Sequence, residues 1–310
     1  MTKFMVNRVL QAIATLWAVS LLIFILPRLT GNAADALVPN PFEATAEQRE
    51  AIVKNLGLDQ PIYVQYIRFT GDLFTADFGQ SFRNRLPVRP QLFEHLKNSI
   101  YLGTASLFIA FLMSVPLGVV SALTRGTIWD RAIMMIPIGG QSIPSFWAAI
   151  LLIIVFSIWL NWLPAQSLDP GNPKDYIMPS LVLGWGISAG ITRLIRSSML
   201  EVLNSEFVKL ARAKGVGEMS VVFKHALRNA LIPVVTFLGL TYGLILAGAI
   251  ATETVFSWPG MGRMAYLGVF NRDFPMLQAA TIGWATLIIV ANLIVDILYG
   301  VLDPRIRVTS

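Results

Sequence analysis

The feature that most constrains this chain is an apolar block that recurs at about the length needed to cross a bilayer. A helix needs about 20 mostly apolar residues to span a hydrocarbon core. Six stretches meet that requirement, at residues 9–26, 99–123, 133–160, 177–195, 231–251 and 279–302. Only 14% of the 310 residues are charged, against roughly a quarter in a soluble domain. Too few polar residues remain to clothe a water-soluble fold of this size. The expected fold is therefore an all-α polytopic membrane protein with six transmembrane helices.

Charge placement orients the spans. With both ends of the chain placed in the cytoplasm, the inner segments, together with Arg193 at the inner end of the fourth span, hold 13 Lys and Arg against five Asp and Glu. Basic residues are retained on the cytoplasmic side of short loops, so both termini are expected there. Arg83, Arg85, Arg89 and Lys97, ahead of the second span, run against this rule. The net charge of +6 sits between apolar blocks and reads as membrane orientation, not nucleic-acid binding. The first span has a rival reading as a cleavable signal peptide, since Lys3 and Arg8 precede the apolar stretch and Gly31-Asn32-Ala33 follows it. Its length and the Pro27-Arg28 pair behind it favour retention as a span.

Whole classes of chemistry are disfavoured. The chain has no cysteine, hence no disulfide, thiolate metal site or cysteine nucleophile. His95 and His225 are too few and too far apart for a histidine metal site. No catalytic residue or bound metal is expected. No Gly-x-x-x-x-Gly-Lys-Ser/Thr loop is present, so the chain does not cradle ATP phosphates in that way.

Two segments between the spans carry organisation. Residues 27–98 form the expected external cap, with Thr45 and Gln48 in a capping-box pattern that opens a helix closed by Gly57. Asp59-Gln60-Pro61 starts a second helix with Tyr63, Tyr66, Ile67 and Phe74 near helical spacing. This cap is either a folded spacer or a docking surface for an external partner. The loop at 199–230 is more specific. Leu200, Leu203, Phe207, Leu210 and Ala211 recur every three or four positions, Gly215 and Gly217 interrupt, and Val216, Met219, Val222, Phe223, Ala226 and Leu227 resume. Two short amphipathic helices about a glycine turn result, with Lys209, Arg212, Lys214, Lys224 and Arg228 on other faces. Such an element is a solvated loop, lies on anionic lipid, or docks in a partner's groove; the last best explains an apolar stripe with a basic rim.

In its motifs this loop resembles the membrane subunits of ATP-binding-cassette importers. These carry Glu-Ala-Ala, three residues, Gly, and an apolar-Pro pair further on. Lys209-Leu210-Ala211, Gly215 and Ile232-Pro233 occupy that frame, with Lys209 departing from the acidic first position. Glu206 to Gly215 and His225-Ala226-Leu227-Arg228-Asn229-Ala230 look like the dipeptide, oligopeptide and nickel branch. So do Asp77-Phe78-Gly79-Gln80-Ser81, Glu253 to Gly260, Asn271-Arg272-Asp273 and Leu302 to Arg307. The long loop after the first span marks one of that branch's two permease types.

The resemblance implies a permease subunit forming half of a translocation pathway, in a bacterial or archaeal cytoplasmic (inner) membrane. Its solute, a peptide or a similar small molecule such as a nickel complex or glycoside, would come from an extracytoplasmic binding protein. The further partners implied are a homologous second permease subunit, the lipid bilayer and two cytoplasmic ATPase subunits, which would hold the ATP and Mg. ATPase docking is expected at Glu206, Lys209, Ala211, Arg212, Ala213, Lys214, Gly215, Val216, Gly217 and Glu218. Pathway or gate candidates are Gly184, Gly186, Ser188, Glu253, Arg263 and Asp296. For each span glycine or serine, plain helix packing is the simpler reading. Asp296 draws notice as a carboxylate inside a span. An ion-gradient-driven secondary transporter is the alternative, but it calls for a polar midplane site. A membrane-embedded enzyme lacks the paired carboxylates or dyads it needs.

Overall fold

A computed structural model describes residues 2–30 and 59–302. The expected helix from Thr45 to Gly57 lies outside the described residues. The side chain of Asp296, on a described helix, does too. Among the described residues the structure is helical, with a single isolated β-bridge between Gln80 and Pro87. The helices are α1 (Thr2–Thr30), α2 (Ile62–Thr75), α3 (Val88–Leu123), α4 (Ile128–Ser142) and α5 (Ser145–Leu152), which continues as a π-helical stretch, Ile153–Trp159. They are followed by α6 (Pro173–Leu203), α7 (Glu206–Ala213), the single turn α8 (Glu218–Ser220), a second π-helical stretch at Val221–Leu227, α9 (Arg228–Val255), α10 (Met261–Phe270) and α11 (Phe274–Leu302).

Five helical segments are long and apolar enough to cross a membrane, at Val6–Ile25, Val88–Leu123, Pro173–Leu203, Glu218–Gly243 and Phe274–Ile294. The expected third span, 133–160, is corrected. It is a pair of helices bent by 104° at Ile143 and Pro144, and counts as a sixth crossing only if the pair is taken as one broken span. Ile143 is extended (φ −92°, ψ 128°) and Pro144 caps α5. The proline ring disfavours helical geometry at the residue before it and supplies no N–H to continue the ladder. Pro116, Pro137, Pro179 and Pro233 are instead accommodated inside helices. A second correction falls in the loop. The stripe from Met199 to Lys214 is split, since α6 runs through Leu203 before the chain turns at Asn204 and Ser205 into α7.

The chain divides into two compact units. One comprises Met1–Ser99, Pro259–Leu293 and Asp303–Ser310. Within it α2 packs on α1 through Phe24, whose ring lies 5.1 Å from that of Tyr66 and 5.5 Å from that of Phe69. Tyr66 also hydrogen-bonds Ser20 at 2.9 Å. A second cluster joins Val88 and Leu92 with Met261, Met264, Ala279 and Ala280. The Ser99 hydroxyl accepts the Met261 N–H at 2.8 Å, and Asn98 donates to the Pro259 carbonyl at 3.0 Å, tying the start of α10 to α3.

The other unit comprises Ile100–Trp258 and Ile294–Leu302. Its main core joins Ala110, Val119 and Ala122 of α3 with Ile191, Ile195 and Met199 of α6, and with Val222, Ala226, Ala230 and Val234 further on. Small residues set the approach of α3 and α6. A Cβ on Gly184 would lie 2.7 Å from the Ser106 carbonyl oxygen, so any side chain there would force the helices apart.

Candidate functional site

The candidate site is the segment joining α6 to α9, and its shape follows from local sequence. Ser205 is extended at the N-cap of α7, with its carbonyl accepting the Lys209 N–H at 3.1 Å. The end of α7 is a Schellman motif. The Gly215 N–H bonds the Arg212 carbonyl at 2.9 Å, and the Val216 N–H bonds that of Ala211 at 3.2 Å. This closure needs a residue in the left-handed region, and Gly215 supplies it with φ +79°. Gly217 differs, being extended at φ −60° and ψ 143° as the N-cap of α8. Neither glycine has an atom within 4 Å of where a Cβ would stand. Gly215 is therefore held by conformation and not by crowding.

The turn is braced across its own ends. The Arg212 guanidinium makes two hydrogen bonds to the Glu218 carboxylate, Nη2 to Oε1 at 2.6 Å and Nε to Oε2 at 3.1 Å. The same contact raises the Arg212 pKa above its ordinary value. Lys209 pairs with Glu206 at 2.8 Å. Two of the expected docking cations are thus bonded within the loop. Glu206, Lys209, Arg212, Ala213, Lys214, Gly215, Gly217 and Glu218 are exposed, while Ala211 and Val216 are half-buried.

The loop is anchored on one side and open on the other. Val208, Val221, Val222 and Ala226 are buried, with Val222 and Ala226 in the core shared with α3 and α6. Phe207, Leu210, Met219 and Phe223 are between 46% and 73% exposed. Their helical periodicity is visible in sequence, but which of the apolar residues stay uncovered is decided by packing.

A second polar centre in this unit was not singled out from sequence. Asp130, buried near the start of α4, accepts Arg196 Nε at 2.9 Å and Nη2 at 2.7 Å, the Ser121 hydroxyl at 2.5 Å and the Gly126 N–H at 3.0 Å. Thr127 caps α4 by accepting the Asp130 N–H at 3.3 Å. The cap is legible as Thr-x-x-Asp, whereas Arg196, 66 residues away, carries no local signal. The network ties the α3–α4 turn to α6, which leads directly into α7.

The pathway candidates separate. Gly184 and Ser188 are buried in the packing of α6; the Ser188 hydroxyl donates to the Trp185 carbonyl, and the Ser114 hydroxyl donates to that of Ser188. Gly186 has open space around it. Glu253 is buried near the end of α9, in the unit that also buries Phe256 and Trp258. Arg263 on α10 is half-buried, and burial pushes its guanidinium pKa down. Asp296 lies along α11. Among the described residues no group of His, Cys, Asp and Glu could hold a metal ion.

Comparison with known proteins reaches the whole chain. Residues 114–308 match the family described as "Binding-protein-dependent transport system inner membrane component", and residues 1–102 match its N-terminal companion, "Binding-prot-dependent transport system membrane comp, N-term". The chain is 39% identical over 307 residues to the glutathione transport system permease protein GsiC of Escherichia coli strain K12, covering 99% of both chains. It is 38% identical to GsiC of Shigella flexneri serotype 5b, over the same length. In fold it is similar to a chain of the inward-facing MetNI methionine ABC transporter, with TM-score 0.57, 18% identity, and coverage of 69% of this chain and 96% of that one. A chain of an amino acid ABC transporter aligns with TM-score 0.51 and 14% identity, over 67% and 92% of the two chains. The chain therefore belongs to the binding-protein-dependent inner-membrane components, the non-catalytic permease subunits that build the translocation pathway of ATP-driven importers.

Proposed function

We propose that this chain forms half of the pathway of an importer for short peptides of about the size and polarity of glutathione. The substrate class is carried by the near full-length similarity to glutathione permeases. A homologous second permease completes the pathway, an extracytoplasmic binding protein delivers the solute, and two cytoplasmic ATPases bind ATP and Mg. Both termini and the α7–α8 loop face the cytoplasm.

The observation that carries the coupling role is the loop's two-sidedness. Val208, Val221, Val222 and Ala226 are buried, while Phe207, Leu210, Met219 and Phe223 stay exposed between ion-paired charges. An apolar face with a polar rim suits a helix-in-groove contact. Residues Glu206 to Glu218 dock in the ATPase, and its nucleotide-driven closure moves α6 and α9, into which the loop leads at either end. The binding energy of ATP on another chain thereby biases a two-state membrane element.

The test is gentle purification from native membranes, followed by transport in vesicles. Two ATPases, a related permease and a binding protein are expected together, with uptake of labelled glutathione dependent on internal ATP. A chain that purifies alone and moves solute on an ion gradient would refute the assignment.

A further inference from the structure

The arginines that run against the charge rule ahead of α3 meet another arginine from far along the chain. Arg83, Arg85 and Arg89 precede or open α3, and Arg272 lies in the turn between α10 and α11. Ser81 donates its hydroxyl to the Asp273 carboxylate, and Arg83 donates to the Asn271 side chain. The Arg83 N–H also reaches Asp273 at 3.4 Å. These bonds lay the two turns side by side within one unit. All four arginines are exposed, whereas Asp273 is buried and committed to Ser81 and to backbone N–H groups. Among the described residues, Arg85, Arg89 and Arg272 enter no ion pair.

Backbone conformation fixes how two of these arginines are presented. Arg85 and Arg272 both sit in the left-handed region, at φ 60° and 53°. That region favours glycine or asparagine and costs other residues about 1–2 kcal/mol. At both positions the chain holds an arginine there, on the face where basic residues are disfavoured.

We propose that Arg83, Arg85, Arg89 and Arg272 form a docking patch for an acidic surface of the extracytoplasmic binding protein. The proposal rests on the importer reading and its orientation, and it adds the location and charge of the contact. A cationic patch steers an anionic partner to its site, and guanidinium groups pair bidentately with carboxylates. Exposed Leu86, Val269 and Phe270 lie in or beside the same two turns and supply apolar contact.

The test uses the intact complex in nanodiscs of neutral phosphatidylcholine, with the binding protein that co-purifies with it. The triple variant Arg85→Glu/Arg89→Glu/Arg272→Glu leaves the Ser81–Asp273 and Arg83–Asn271 bonds in place. It is expected to need at least about tenfold more binding protein for half-maximal ATPase stimulation, with basal ATPase unchanged. The wild-type requirement is expected to rise with salt. An unchanged requirement in the triple variant would overturn the proposal alone. So would a defect seen only when anionic phosphatidylglycerol is present, which would make the patch a lipid headgroup site. A wild-type complex that the binding protein does not stimulate would sink the importer reading itself.

Discussion

Replacing Gly215 with alanine tests the coupling role of the loop against a built-in control. At φ +79° an alanine is strained by about 1–2 kcal/mol, while open space around the position removes any steric contribution. That energy shifts the balance between the closed turn and an opened one by roughly 5–30-fold. Gly217, two residues on, is extended and equally uncrowded, so Gly217→Ser costs nothing in backbone strain and supplies a better N-cap. Gly215→Asn should fall between, because asparagine tolerates the left-handed region. ATP-driven uptake in vesicles, alongside the affinity of purified ATPase for the permease pair, reads the effect. Gly215→Ala should weaken ATPase binding by roughly 5–30-fold with normal membrane insertion, Gly215→Asn less, and Gly217→Ser not at all. Equal losses at 215 and 217, or none at 215, would refute the argument that the Schellman geometry shapes the docking face.

Three further outcomes follow from the geometry. Phe223→Ser should leave thermal unfolding of the isolated permease within about 0.5 kcal/mol, since the ring is exposed. It should lower ATPase affinity about tenfold or more if the ring is a buried anchor of the complex; binding titration measures this. Asp130→Asn removes one partner of the bidentate pair with Arg196, whose side chain is 28% exposed against 8% for Asp130. The partial exposure places the cost at about 2–3 kcal/mol, below that of a fully buried pair, seen as a lower Tm in detergent. Gly184→Ala drives a methyl group against the Ser106 carbonyl and should cost about 1–3 kcal/mol, with Gly186→Ala nearly silent in the same melt.

Much of the loop was readable because its determinants are local. The apolar period of three to four and a glycine at the end of α7 are signals within a few residues of one another. The absence of a phosphate-binding loop was equally plain. Local reasoning failed at Met199 to Lys214, where one periodic stripe was split between the end of α6 and α7 by the turn at Asn204. It also failed at 133–160, where hydropathy ran unbroken through a proline that bends the backbone by 104°.

Sequence by itself determined that this chain carries apolar helices long enough for a bilayer, and that it holds no Gly-x-x-x-x-Gly-Lys-Ser/Thr loop. Those properties are sums over neighbouring residues, and a bilayer reads them one helix at a time. Tertiary structure decided which glycines are constrained by contact and which by conformation. It also decided which apolar side chains of the loop remain open and which charges find partners. Asp130 meets Arg196 across 66 residues and Ser81 meets Asp273 across 192. A pairing at that separation leaves no trace in local periodicity, because it is set by how helices pack.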